Sequence, residues 1–166
     1  MPVIDIFKRV LLLLVFCLVQ VLVLNRIHLL ECATPLLYVY FVMGFPRNYP
    51  KWGVLLWSFV LGFILDTFSN TPGVSAASLT LIAAIQPYFF NLFIQQDAPD
   101  DMIPSVASIG WGKYSFYAFV LVLLYSLVFF TLETFSFFNW LQWIECVTGS
   151  ALLTLILILT LENVKK

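Results

Sequence analysis

Long apolar runs alternate along the chain with short polar connections, and each run is closed by a charge or a Pro/Gly/Asn cluster. Six runs stand out, at residues 7–24, 33–45, 52–68, 74–93, 114–131 and 140–161. Five are long enough, at about 1.5 Å of rise per residue, to cross an apolar layer of about 30 Å as helices. The run at 33–45 is short and begins near Pro35, so it is expected to be irregular, partly re-entrant, or extended by residues 27–32. The connection at 95–113 is the longest polar stretch. It holds Asp97, Asp100 and Asp101 with Pro99 and Pro104, which favours loop over helix.

Lys8–Arg9 before an apolar run resembles the start of a signal peptide, but no small-residue cleavage site follows where Asn25, Arg26 and His28 stand. Glu31 before Cys32 likewise spoils a lipoprotein box. The run is read as a retained first helix.

Basic residues decide how the second run behaves. With six crossings, one side receives Lys8, Arg9, Arg47, Lys51, Lys113, Lys165 and Lys166, and only Arg26 falls on the other. If the second run does not cross, Lys8 and Arg9 are separated from the remaining six. The positive-inside rule prefers the first arrangement, with both termini and the 95–113 connection cytoplasmic. The expected fold is an all-α integral membrane bundle of about six helices, the second short, in a single membrane domain covering residues 1–166.

Composition agrees. Only 10% of the 166 residues are charged and 62% are hydrophobic, against about 25% charged in soluble domains. A net charge of −1 gives no footprint for nucleic acid. Trp52, Trp57, Trp111, Trp140 and Trp143 fall near predicted membrane boundaries, where tryptophan is ordinary.

Chemistry-bearing residues are sparse. The single histidine, His28, has no nucleophile or orienting acid grouped with it. No metal-ligand spacing or glycine-rich phosphate loop occurs. Cys17 and Cys146 sit in apolar runs and read as small lipid- or helix-facing residues. No catalytic residue, metal or cofactor is expected, and the chain reads as a non-enzyme.

The third and fourth runs carry more information. Ser58, Gly62 and Asp66 are spaced by four and share one helix face. Ala76, Thr80 and Ala84 make a matching small stripe on the next helix, and Pro72-Gly73 supplies the reversal between them. Small residues let helices approach closely in lipid, so a tightly packed hairpin is expected, with Ser69 or Asn70 satisfying free backbone groups. Leu61, about 100° around the helix from Gly62, is expected to meet lipid or a looser contact.

Asp66 lies near the outer end of its run. It can reach headgroup water, cap the following turn, or contact a partner or ligand. Glu145 is embedded in the sixth run, and its neighbours Thr148 and Gly149 suggest that it faces other helices. With Glu31 and Glu133, these acids either line an outward polar cavity or stand as separate solvated helix ends. Gln86, before Pro87 within the fourth run, is expected to satisfy the carbonyl freed by the proline or to bond a neighbouring helix.

Leu61-Gly62-Phe63-Ile64-Leu65-Asp66, followed by Ser69, Thr71-Pro72-Gly73 and Ala76-Ala77, resembles the central motif of MreD proteins. The order upstream is similar too: Gln20 and Asn25, then Pro35-Leu36-Leu37-Tyr38, then Phe45-Pro46. The C-terminal half shares hydrophobicity and little motif. The resemblance implies a part of the bacterial rod-shape machinery in the cytoplasmic membrane. Such proteins associate with MreC, and more widely with MreB filaments, RodA and a penicillin-binding transpeptidase. It also implies a fold like that of the substrate-binding subunits of energy-coupling-factor vitamin transporters. A small-molecule-binding transporter subunit is therefore the competing expectation, since fold and function separate readily.

Overall fold

Charges and helix breakers set the element boundaries in the computed structural model, which describes residues 3–26, 33–135 and 138–165. The first apolar run forms α1 (Val3–Leu22), followed by a 3-10 turn at Leu24–Arg26. Then come α2 (Val39–Met43), α3 (Lys51–Ser69), α4 (Val74–Phe93), α5 (Val106–Ile109), α6 (Trp111–Thr134) and α7 (Trp140–Lys165). Among the described residues, α3, α4, α6 and α7 are the four helices long and apolar enough to cross a membrane. Helix α1 has 20 residues and carries Asp5, Lys8 and Arg9 in its first turns. His28, Glu31, Cys32 and Lys166 lie outside the described residues.

Helices α3 and α4 form an antiparallel hairpin, and α4, α6 and α7 pack in succession beside it. The buried core draws on every long helix, with Leu61, Leu79, Ile82, Tyr117, Leu121 and Ile158 all fully enclosed. Cys17 and Cys146 are buried in it as well. Large apolar side chains such as Leu11, Leu18, Phe63 and Leu152 remain exposed on the outside, as a surface facing lipid requires.

The second apolar run departs most from a spanning helix. Only Val39–Met43 is helical, yet Ala33, Tyr38, Val42 and Phe45 are all buried. Pro35 removes an N–H and biases Thr34 away from helical angles, so a helix cannot start at the beginning of the run. Its backbone groups bond to side chains of other helices. Gln20 Nε2 donates to the Pro35 carbonyl at 2.9 Å. The Thr34 N–H donates to Ser150 Oγ at 3.1 Å and the Leu36 N–H to Thr154 Oγ1 at 2.9 Å. Irregular backbone inside a membrane protein is tolerated only when protein supplies such partners.

This segment runs beside α7 from Gly149 to Glu162. It starts where a Cβ on Gly149 would meet the Ala33 Cβ at 3.0 Å. It continues to Tyr40, whose hydroxyl donates to Glu162 at 2.7 Å, and the Arg47 N–H then reaches the Met102 carbonyl at 3.1 Å. Twelve residues of α7 separate Ser150 from Glu162, about 18 Å along its axis. Thr34 lines a cavity with Ser69 and Glu133, and Gly44 and Pro46 line another with Lys8, Arg9 and Lys165, so residues 33–47 travel from one end of the bundle to the other.

The 95–113 connection is not loop throughout. Ser105 and Ser108 form a reciprocal capping box that starts α5, and α6 begins at Trp111, three residues before the run at 114–131.

Candidate functional site

Where α3 meets the start of α4, the two helices make a tight joint. The first N–H groups of a helix have no carbonyl one turn back to bond. Here the Val74 N–H donates to the Thr71 carbonyl at 3.3 Å. The Ser75 N–H donates to Asp66 Oδ1 at 2.8 Å and the Ala76 N–H to Asp66 Oδ2 at 2.9 Å. The Thr71 hydroxyl adds a bond to Oδ1 at 3.1 Å. One carboxylate, only 4% exposed, caps α4 from the neighbouring helix and faces the positive end of its dipole.

Gly62 makes that reach possible. A Cβ at this position would lie 2.5 Å from the Ala76 Cα and 2.7 Å from its nitrogen. The obstacle is backbone, so the helices would have to separate. Asn70 ends α3 in the left-handed conformation at φ 58°, and Gly73 opens α4 at φ 81°. Thus the Asp66 and Thr71 side chains bond the turn, together with these left-handed positions.

Of the readings open for Asp66, capping the following turn is the one found, with the carboxylate turned into the hairpin. Several other sequence expectations are corrected here. Leu61 is fully buried rather than lipid-facing. Ser58 and Ala76 are buried as the stripes require, and Thr80 is half-buried with its hydroxyl bonded to the Ala76 carbonyl at 2.6 Å. Ala84 is exposed, and Ala83 takes the inward position. The inward face of α4 follows 75–76, 79, 82–83 and 86, which a strict spacing of four from Ala76 misses. Glu145 and Thr148 are exposed on the outer side of α7, while Cys146, Val147 and Ser150 face inward. Gln86 is buried and its Nε2 donates to the Tyr117 hydroxyl at 3.1 Å, tying α4 to α6.

Beside the joint lies a cavity of about 310 Å³. Gln20, Tyr38, Ser69, Thr71, Ser75 and Glu133 give it a polar lining, with Leu65 and Phe129 among its apolar walls. Glu133 therefore joins an end-on cavity, whereas Asp66 and Glu145 do not line it. Tyr38 and Tyr125 bond hydroxyl to hydroxyl at 2.5 Å, which fixes the irregular segment against α6.

Three polar residues of α7 form a group that the sequence analysis does not single out. Ser150, Thr154 and Glu162 lie on one buried face with Ile158 between the last two, at multiples of four. Glu162 accepts from Tyr40 and from the Val106 N–H at 3.2 Å, so it also caps α5. The spacing was available as a signal, but within a uniformly apolar run it does not say which side is inward. Among the described residues, no three His, Cys, Asp or Glu side chains are grouped to hold a metal ion. Compared with protein-family models, curated proteins and solved structures, the chain finds no match.

Proposed function

We propose that this chain is a non-enzymatic membrane component of a bacterial cell-elongation machinery, similar to MreD. In that reading it binds MreC and helps couple MreB filaments to the peptidoglycan-synthesising enzymes, RodA and a penicillin-binding transpeptidase. The observation that carries the proposal is where the resemblance falls. Gly62, Asp66, Thr71, Gly73 and Ala76 bear the motif, and the same residues build the α3–α4 joint. The motif is thus used on backbone contact and capping, which suits a rigid platform.

The proposed topology has six crossings in one membrane domain, as in the substrate-binding subunits of energy-coupling-factor transporters. The second crossing is made by the irregular segment, and both termini are cytoplasmic. Two observations support this. Residues 33–47 run from end to end of the bundle, and Lys8, Arg9 and Lys165 converge at one end. Arg26 follows α1 at the other end. In a background with Cys17, Cys32 and Cys146 replaced, an impermeant thiol reagent should label Asn70→Cys in intact cells and leave Asp100→Cys unlabelled. The reverse pattern contradicts the topology.

A second reading, a small-molecule-binding subunit of a transporter, is favoured by the polar cavity beside the joint. Depletion in the native cell separates the two. Rounded cells with delocalised wall synthesis support the scaffold, whereas rods of normal shape with a specific nutrient requirement support the transporter subunit.

A further inference from the structure

At the basic end, α1, residues 40–49, residues 101–104 and the end of α7 enclose a second cavity of about 480 Å³. Its charged lining comprises Lys8, Arg9 and Lys165 together with Asp5 and Asp101. Deeper along α1 the lining becomes apolar, through Leu12 and Phe16 to Phe41. Arg9 and Phe16 are seven residues apart, about 10 Å along the helix. The Arg9 guanidinium lies 4.4 Å from the ring centroids of both Phe45 and Tyr49. Cation–π contact with both rings holds the guanidinium beside the cavity that Arg9 lines.

We infer that this groove is a binding site for one phospholipid whose headgroup carries hydrogen-bond donors. The phosphate sits among Lys8, Arg9 and Lys165, an acyl chain lies along Leu12 and Phe16, and the headgroup's hydroxyls or ammonium meet Asp5 and Asp101. The polarity gradient matches a lipid standing in the leaflet, with charge at the boundary and hydrocarbon one to two turns deeper. A free phosphate would leave the apolar floor unused. The two acids select phosphatidylglycerol or phosphatidylethanolamine over phosphatidylcholine, whose quaternary ammonium donates no hydrogen bond. The inference is independent of the proposed function and of which side the basic end faces.

The test is native mass spectrometry of the purified full chain in mild detergent, titrated with palmitoyl-oleoyl phosphatidylglycerol, phosphatidylethanolamine or phosphatidylcholine. The first two should be retained about fivefold more tightly than the third. Arg9→Gln with Lys165→Gln should weaken retention about thirtyfold. Leu12→Trp should weaken it with every charge intact, and Lys113→Gln, a basic-end change outside the groove, should not. Wild-type retention by the double variant, equal loss in Lys113→Gln, or equal affinity for phosphatidylcholine would each overturn the site.

Discussion

Asp66→Asn is expected to destabilise the folded protein by about 2–4 kcal/mol, with no partner present. The amide can keep one oxygen for the Ser75 N–H and the Thr71 hydroxyl. Its nitrogen then faces the Ala76 N–H, donor against donor, where Asp66 Oδ2 now accepts at 2.9 Å. A buried backbone N–H loses its bond, and the favourable charge at the start of α4 disappears. Asp66→Glu keeps the charge but drives a longer side chain against the first turn of α4, so it should not rescue. The measurement is denaturant or thermal unfolding of purified protein in mild detergent, followed by tryptophan fluorescence. Wild-type stability in Asp66→Asn would mean that the carboxylate is not the cap.

Gly62→Ala should be at least as damaging. Adding one methyl elsewhere in a packed core typically costs about 1–3 kcal/mol. Here the methyl would meet the Ala76 backbone at 2.5 Å, and separating the helices also stretches both Asp66 bonds. The two substitutions therefore act on one joint and should be non-additive: Asp66→Asn should cost about 1–2 kcal/mol less in the Gly62→Ala background. Additive losses would show that close approach and capping are separate. Leu61→Ala should not behave as the mild substitution of a lipid-facing residue. Its side chain is fully buried, and truncation there should cost about 2–5 kcal/mol.

The hairpin was legible because its devices are local. Small residues at a spacing of four, an acid at a helix end and Pro-Gly between two apolar runs each have one ready physical meaning. Inward and outward faces were not legible, for a reason particular to membrane proteins. Helices α6 and α7 are apolar all round, so no hydrophobic stripe separates core from lipid. Sequence therefore does not separate Glu145, which is exposed, from Glu162, which is buried. Leu61 and Ala84 are ambiguous for the same reason, since leucine and alanine suit either side. Pro35 signals that the second apolar run is irregular, but nothing in the sequence signals its support. Gln20, Ser150 and Thr154 come from helices distant in sequence, and only the fold shows that their polar atoms meet one backbone segment.

With its carboxylate enclosed, Asp66 offers nothing to another protein; in the proposed scaffold, partner contacts would fall on exposed groups. The end opposite the basic residues offers Phe135, Phe138, Trp140 and Leu141, each at least 60% exposed.

The scaffold reading is tested most directly by affinity purification of the full chain from its own cells in mild detergent. Asp66→Asn material at matched membrane levels serves as a folding control. The account predicts that MreC is recovered with the wild-type chain and lost with the variant only in proportion to its unfolding. Folded, wild-type protein recovered without MreC would contradict it.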